Sequence, residues 1–154
     1  MSIDVPHGSP ALVDAWDGYE AERQEILSSF EAKGVDNLAV ITGDIHTFFA
    51  GDLSTTGDDT GDPIAVEFVG GSATSFGIPE TLNQDPATLK ALGLSQNPHL
   101  KYADLEHRGY AVLTVASGGI ACELKSVDPF TKGAKPQTLA KFTAADGDPH
   151  VHEV

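Results

Sequence analysis

Leu38-Ala39-Val40-Ile41-Thr42-Gly43-Asp44-Ile45-His46 is a short apolar run that stops at a glycine, followed by an aspartate and a histidine two positions apart. The run reads as a buried strand, and its carboxyl end is where open α/β sheets usually build their sites. In extended backbone, side chains at i and i+2 share a face, so Asp44 and His46 are expected to converge on one point. A carboxylate and an imidazole suit a hard or borderline metal ion, although two ligands alone do not complete such a site. The same pattern also fits a turn in which the Asp bonds its own backbone and the His makes a structural hydrogen bond.

Further segments extend the pattern. Asp14-Ala15-Trp16-Asp17-Gly18-Tyr19 precedes a helical stretch, and Glu67-Phe68-Val69-Gly70-Gly71-Ser72-Ala73-Thr74-Ser75 follows the Asp44/His46 segment. Asn97-Pro98-His99-Leu100-Lys101-Tyr102 and Arg108-Gly109-Tyr110 come after. Together, in this order, they resemble the C-terminal part of the PhoD-like alkaline phosphatase/phosphodiesterase family, a branch of the metallophosphatases. The resemblance runs from about Val13 to the C-terminal tail.

That resemblance implies an α/β fold, the C-terminal portion of a layered αββα metallophosphatase sandwich whose mixed sheet is joined by an antiparallel C-terminal meander. It divides the chain into an extended leader at 1–12 and the partial phosphatase domain at 13–154. It makes Asp44 and His46 metal ligands, matching the last metallophosphatase motif with an aspartate where the general pattern has its first histidine. The carboxylate favours an oxygen-preferring ion, and the implied metals are calcium with iron. Trp16 and Tyr19 are expected at the rim of the cleft and His99 near substrate. The implied substrate is a phosphate ester, hydrolysed by metal-activated water. The family is commonly exported, and its earlier ligands belong to an N-terminal half, which is expected to come from elsewhere or from a homo-oligomer.

Composition fits one compact unit: 154 residues with 40% hydrophobic content can bury a core. The 9 basic and 23 acidic residues give a formal charge of −14, which opposes binding to nucleic-acid phosphates and leaves phosphate esters dependent on a cation to invert the local field. Cys122 is the lone cysteine and lies in an apolar run, the setting of a buried structural thiol. No long apolar span is expected to cross a membrane.

Along the chain, Tyr19 to Lys33 carries helix formers and is stopped by Gly34, with Asp14 or Asp17 as a cap. Gly51 to Pro63 reads as an exposed loop, Ile64 to Val69 as a strand, and Pro86 to Gly93 as a short helix with a glycine cap. Gly109 to Val115, Ile120 to Val127 and Thr138 to Ala144 read as the meander. Asn97, His99 and Lys101 could contact substrate or satisfy loop backbone, while His107 and Arg108 read as surface or turn residues. His150 and His152 lie in a tail expected to be disordered or an edge strand. Gly70-Gly71-Ser72 lacks the lysine and spacing of a phosphate-binding loop. Two other readings stay open: a non-catalytic interaction module that needs a separate N-terminal half, and a small metal-binding protein using Asp44, His46 and a tail histidine.

Overall fold

The computed structural model describes residues 16–56 and 61–154, without the Asp17 side chain. The expected leader at 1–12 and the capping role of Asp14 lie outside the described residues. After a short 3₁₀ turn at Trp16–Gly18, helix α1 spans Glu20–Ala32. Its N-cap is Tyr19, with no side-chain cap bond, so the cap does not fall at Asp17. The helix buries Leu27 and Arg23, and Arg23 Nη1 donates to the Thr56 carbonyl at 2.8 Å. The long side chain thus ties α1 to the end of a strand while its guanidinium lies 5.9 Å from the centre of the Trp16 ring. Gly34 follows the helix in left-handed backbone, as its stop signal predicts.

Strands β1 (Leu38–Thr42), β2 (Phe48–Ser54), β3 (Pro63–Val69) and β4 (Leu100–Asp104) form one mixed sheet in the order β1-β3-β2-β4. β1 runs parallel to β3, whereas β2 is antiparallel to both β3 and β4. Between β3 and β4 lie helices α2 (Ile78–Leu82) and α3 (Pro86–Gln96). Strands β5 (Gly109–Ala116), β6 (Gly119–Ser126), β7 (Gln137–Ala145) and β8 (His152–Glu153) form the second sheet as an antiparallel meander in chain order. The tail is therefore an edge strand. Among the described residues no helix is long and apolar enough to cross a membrane.

Strand periodicity places the core. Phe48, Ala50, Val66 and Phe68 project from one face of the mixed sheet onto Cys122, Leu124, Ala140 and Phe142 of the meander. The Phe142 ring sits edge-on to Tyr102, 5.3 Å away at 65°, and tilted at 37° to Phe68 at 6.3 Å, joining the sheets. Alternate residues Phe49, Val69, Leu100 and Ala103 face the other way, where Leu89 and Leu94 of α3 pack on them. Two polar clasps add to this packing. Asn37 Nδ2 donates to Asp146 Oδ1 at 2.6 Å, and Gly147 N–H donates to Asn37 Oδ1 at 2.7 Å, joining the start of β1 to the β7–β8 turn.

Two local expectations are corrected. Gly51 to Ser54 is not exposed loop but the buried second half of β2. Asp52 can be buried there because Val151 N–H donates to its Oδ1 at 2.8 Å while Lys101 Nζ and His150 Nδ1 lie 3.3 and 3.1 Å from its Oδ2. Helix α3 also runs through Gly93 to Gln96. Asn97 ends it, with Nδ2 donating to the Gly93 carbonyl at 2.8 Å.

Candidate metal centre

Thr42 ends β1 under restraint from its neighbour β3. Its hydroxyl donates to Glu67 Oε1 at 2.6 Å, and its carbonyl accepts from Gly70 N–H at 2.9 Å. Glu67 is buried and Gly70 lies just past β3, so the point where the chain leaves β1 is held on both sides. The chain then turns sharply into β2 through residues 43–47, with Ile45 N–H donating to the Gly43 carbonyl at 2.9 Å.

Asp44 and His46 lie in this turn, at the carboxyl end of a strand as expected, but not in extended backbone. Their φ angles are +70° and +60°, so both adopt left-handed conformation and the same-face argument for extended chain does not apply to them. Such residues cost about 1–3 kcal/mol each and cluster at functional sites. The aspartate does not cap its own turn: among the described residues the structure gives its exposed carboxylate no hydrogen bond or ion pair.

The imidazole of His46 is committed on one side. Its Nδ1 lies 2.7 Å from the Phe76 carbonyl oxygen. A carbonyl can only accept, so Nδ1 carries the proton and the lone pair of the neutral ring sits on Nε2. Metal-binding histidines are oriented in this manner, the second nitrogen donating to a carbonyl or carboxylate. The donor set, one carboxylate and one imidazole Nε2, therefore fits part of a metal site. Among the described residues no group of three or more His, Cys, Asp and Glu side chains is placed to hold an ion.

Phe76 belongs to the segment between β3 and α2. Arg108, expected on the surface, is buried and grips this segment: Nε donates to the Ser75 carbonyl at 2.6 Å and Nη1 to the Glu106 carbonyl at 3.0 Å. Its Nη2 reaches Glu80 Oε1 at 2.5 Å, and Glu80 Oε2 accepts from Gly77 N–H at 3.0 Å. Burial pushes the Glu80 carboxyl up, but hydrogen bonds from its own backbone and Arg108, together with the Arg108 charge and Gly77, hold it below its ordinary 4.5. A Cβ on Gly77 would stand 3.3 Å from the His46 carbonyl oxygen, so the two segments touch closely. The Gly77-x-x-Glu80 spacing, which spans Pro79, is the one sequence signal of this arrangement, half of a capping box in which Glu80 reaches back to the Gly77 N–H.

The contacts described for the other candidates serve the fold. Trp16 is half-buried beside Arg23, and Tyr19 is exposed at the start of α1. His99 is 5% exposed, and its carbonyl accepts from Asp52 N–H at 3.0 Å, which anchors β4 to β2. Lys101 belongs to the Asp52 cluster. His107 lies in an exposed turn, its Nδ1 2.8 Å from Asp104 Oδ2. His152 Nε2 lies 2.9 Å from Asp148 Oδ2 within the tail, whereas His150 reaches across to Asp52 of β2.

The chain that folds into this mixed α/β unit of two four-stranded sheets is similar to known phosphatases. Residues 2–124 match the model of the PhoD-like phosphatase family, and the chain belongs to that family. Alkaline phosphatase D of Bacillus subtilis (strain 168) is 33% identical over 133 residues, which cover 84% of this chain and 22% of the relative. A solved structure of PhoD matches with a TM-score of 0.73 and 25% identity, over 92% of this chain and 26% of the other. This chain thus spans about a fifth of the length of its curated relative.

Proposed function

We propose that this chain supplies the C-terminal part, residues 13–154, of a metal-dependent phosphatase/phosphodiesterase, with Asp44 and His46 as metal ligands. The observation that carries the reading is the Nδ1–H bond from His46 to Phe76, which leaves Nε2 as a lone-pair donor in the same turn as the exposed Asp44 carboxylate. Family membership supports a phosphate ester as substrate. In this reading the two sheets are the C-terminal portion of an αββα sandwich, and the remaining ligands come from an N-terminal half or from another copy.

The ions proposed are calcium with iron; when bound they would polarise a water for in-line attack and neutralise non-bridging phosphate oxygens. Asp44 offers oxygen to the oxygen-preferring ion, and His46 offers nitrogen in a fixed tautomer. Trp16 and Tyr19 are proposed as rim residues that shape the approach of the ester. The burial of His99 favours anchoring β4 over contact with substrate. The acidic surface, −14 overall, makes such cations the means by which a phosphate anion approaches.

Hydrolysis of bis(p-nitrophenyl) phosphate and p-nitrophenyl phosphate with calcium and iron supplied tests this function. Turnover that disappears in Asp44→Ala and His46→Ala supports it. Metal-supported turnover that survives both substitutions contradicts it. A second reading, a partial domain inactive without its complement, is favoured by the open edge of β1, where Ile41 is 61% exposed.

A further inference from the structure

The Phe76–Gly77 peptide joins His46 to Glu80. Its carbonyl oxygen lies 2.7 Å from His46 Nδ1, and its N–H donates to Glu80 Oε2 at 3.0 Å. The peptide is planar and its C=O and N–H are rigidly coupled, so holding the N–H aims the carbonyl. We propose that Glu80 is a positioning residue for His46, acting through this peptide, and that Arg108 orients Glu80 for the task. The proposal rests on the metal-ligand reading of His46 and adds residues that act at one remove.

The arrangement does indirectly what a carboxylate does when bonded to a metal-binding histidine. Here the carboxylate charge strengthens the carbonyl as an acceptor through an intervening amide. Arg108 holds both sides of the relay, with Nη2 on Glu80 Oε1 at 2.5 Å and Nε on the preceding carbonyl, Ser75, at 2.6 Å. The Ser72 hydroxyl donates to the same Ser75 oxygen at 2.8 Å. The Ser75–Phe76 and Phe76–Gly77 peptides are thus fixed on either side of Phe76. Glu80 also caps α2, a helix of five residues, and the test must separate that role from the relay.

The readout is the ¹⁵N shifts of the His46 ring in the metal-free chain, above the pH at which imidazole is neutral, in wild type, Glu80→Ala and Glu80→Gln. The wild type is expected to show Nδ1–H with an unprotonated Nε2. Glu80→Ala is expected to move the ring toward mixed tautomers, whereas Glu80→Gln, which still accepts from Gly77, restores the wild-type pattern. Glu80→Met, similar in volume and without that acceptor, replaces the alanine variant if the latter does not fold. A wild-type His46 signature in folded Glu80→Ala or Glu80→Met overturns the inference, because loss of the cap alone would leave the tautomer unmoved. In a parallel Mn²⁺ titration, Glu80→Ala is expected to weaken affinity by about 10-fold. A wild type that binds no Mn²⁺ would refute the ligand reading and leave the tautomer result standing, so the two failures are distinct.

Discussion

His46 donates its Nδ1–H to the carbonyl of Phe76 at 2.7 Å, linking two turns 30 residues apart in sequence. That bond fixes the ring nitrogen left for a ligand and makes the segment after β3 part of the Asp44/His46 turn. Steric crowding at Gly77 reinforces the link. Gly77→Ala would press on the His46 carbonyl 3.3 Å away and on Glu80 Oε2 at 3.2 Å. The variant is expected to fold but to bind Mn²⁺ more weakly than wild type, as read by calorimetry.

Gly71 packs where no side chain fits. A Cβ there would lie 2.6–2.9 Å from the ring of Phe48, which is fully buried between the sheets. Gly71→Ala is expected to cost about 1–3 kcal/mol by overpacking. Urea unfolding of the two proteins measures it, and an unchanged midpoint would mean the ring can move aside.

The Arg108–Glu80 pair gives a defined pH response. The Glu80 carboxyl is held below 4.5 in the fold, so just below that value the unfolded chain binds more protons than the native one. Its contribution is complete above 4.5 and is lost as pH falls through the lowered folded value. Arg108→Gln is expected to lose about 1–3 kcal/mol at neutral pH, through unmade charged hydrogen bonds. The gap to wild type should narrow on acidification below 4.5; denaturant titrations across that range check the sign.

Cys122 is buried in the core, and burial first, then the Glu123 charge, pushes its thiol up to about 11. Iodoacetamide at pH 8 is expected to label it slowly in the native protein and quickly in urea. Fast native labelling would show that the two sheets separate readily.

The open end of the structure predicts association. β1 is an edge strand, Ile41 and Val115 are 61% and 77% exposed, and a cavity of about 600 Å³ lies between them and the start of β6. The chain alone is expected to self-associate and bind a hydrophobic dye, and Ile41→Lys to reduce both. A clean monomer by light scattering that binds no dye would contradict this.

The sequence made the meander legible because Ala111, Leu113, Cys122, Leu124 and Phe142 alternate with polar or solvent-facing neighbours. It also placed β1, β3 and the start of the Asp-x-His turn. β2 was hidden because Gly51, Asp52 and Ser54 carry loop chemistry. Only the distant Lys101, His150 and Val151 make a strand interior habitable for Asp52. The backbone at Asp44 and His46 was illegible for a related reason. Aspartate and histidine tolerate left-handed φ better than most residues, but the Thr42–Glu67 and His46–Phe76 bonds that accompany it here join distant segments and leave no mark on the local sequence. Arg108 read as surface because its partners are mostly backbone carbonyls, which composition does not reveal.

The most direct test of the metal-ligand reading is paramagnetic broadening of the ¹⁵N-labelled chain by substoichiometric Mn²⁺. Broadening centred on residues 43–47, with Asp44 and His46 strongest and abolished in His46→Ala, is the predicted result. Broadening centred on His150 and His152, unaffected by His46→Ala, would contradict it and assign metal affinity to the tail.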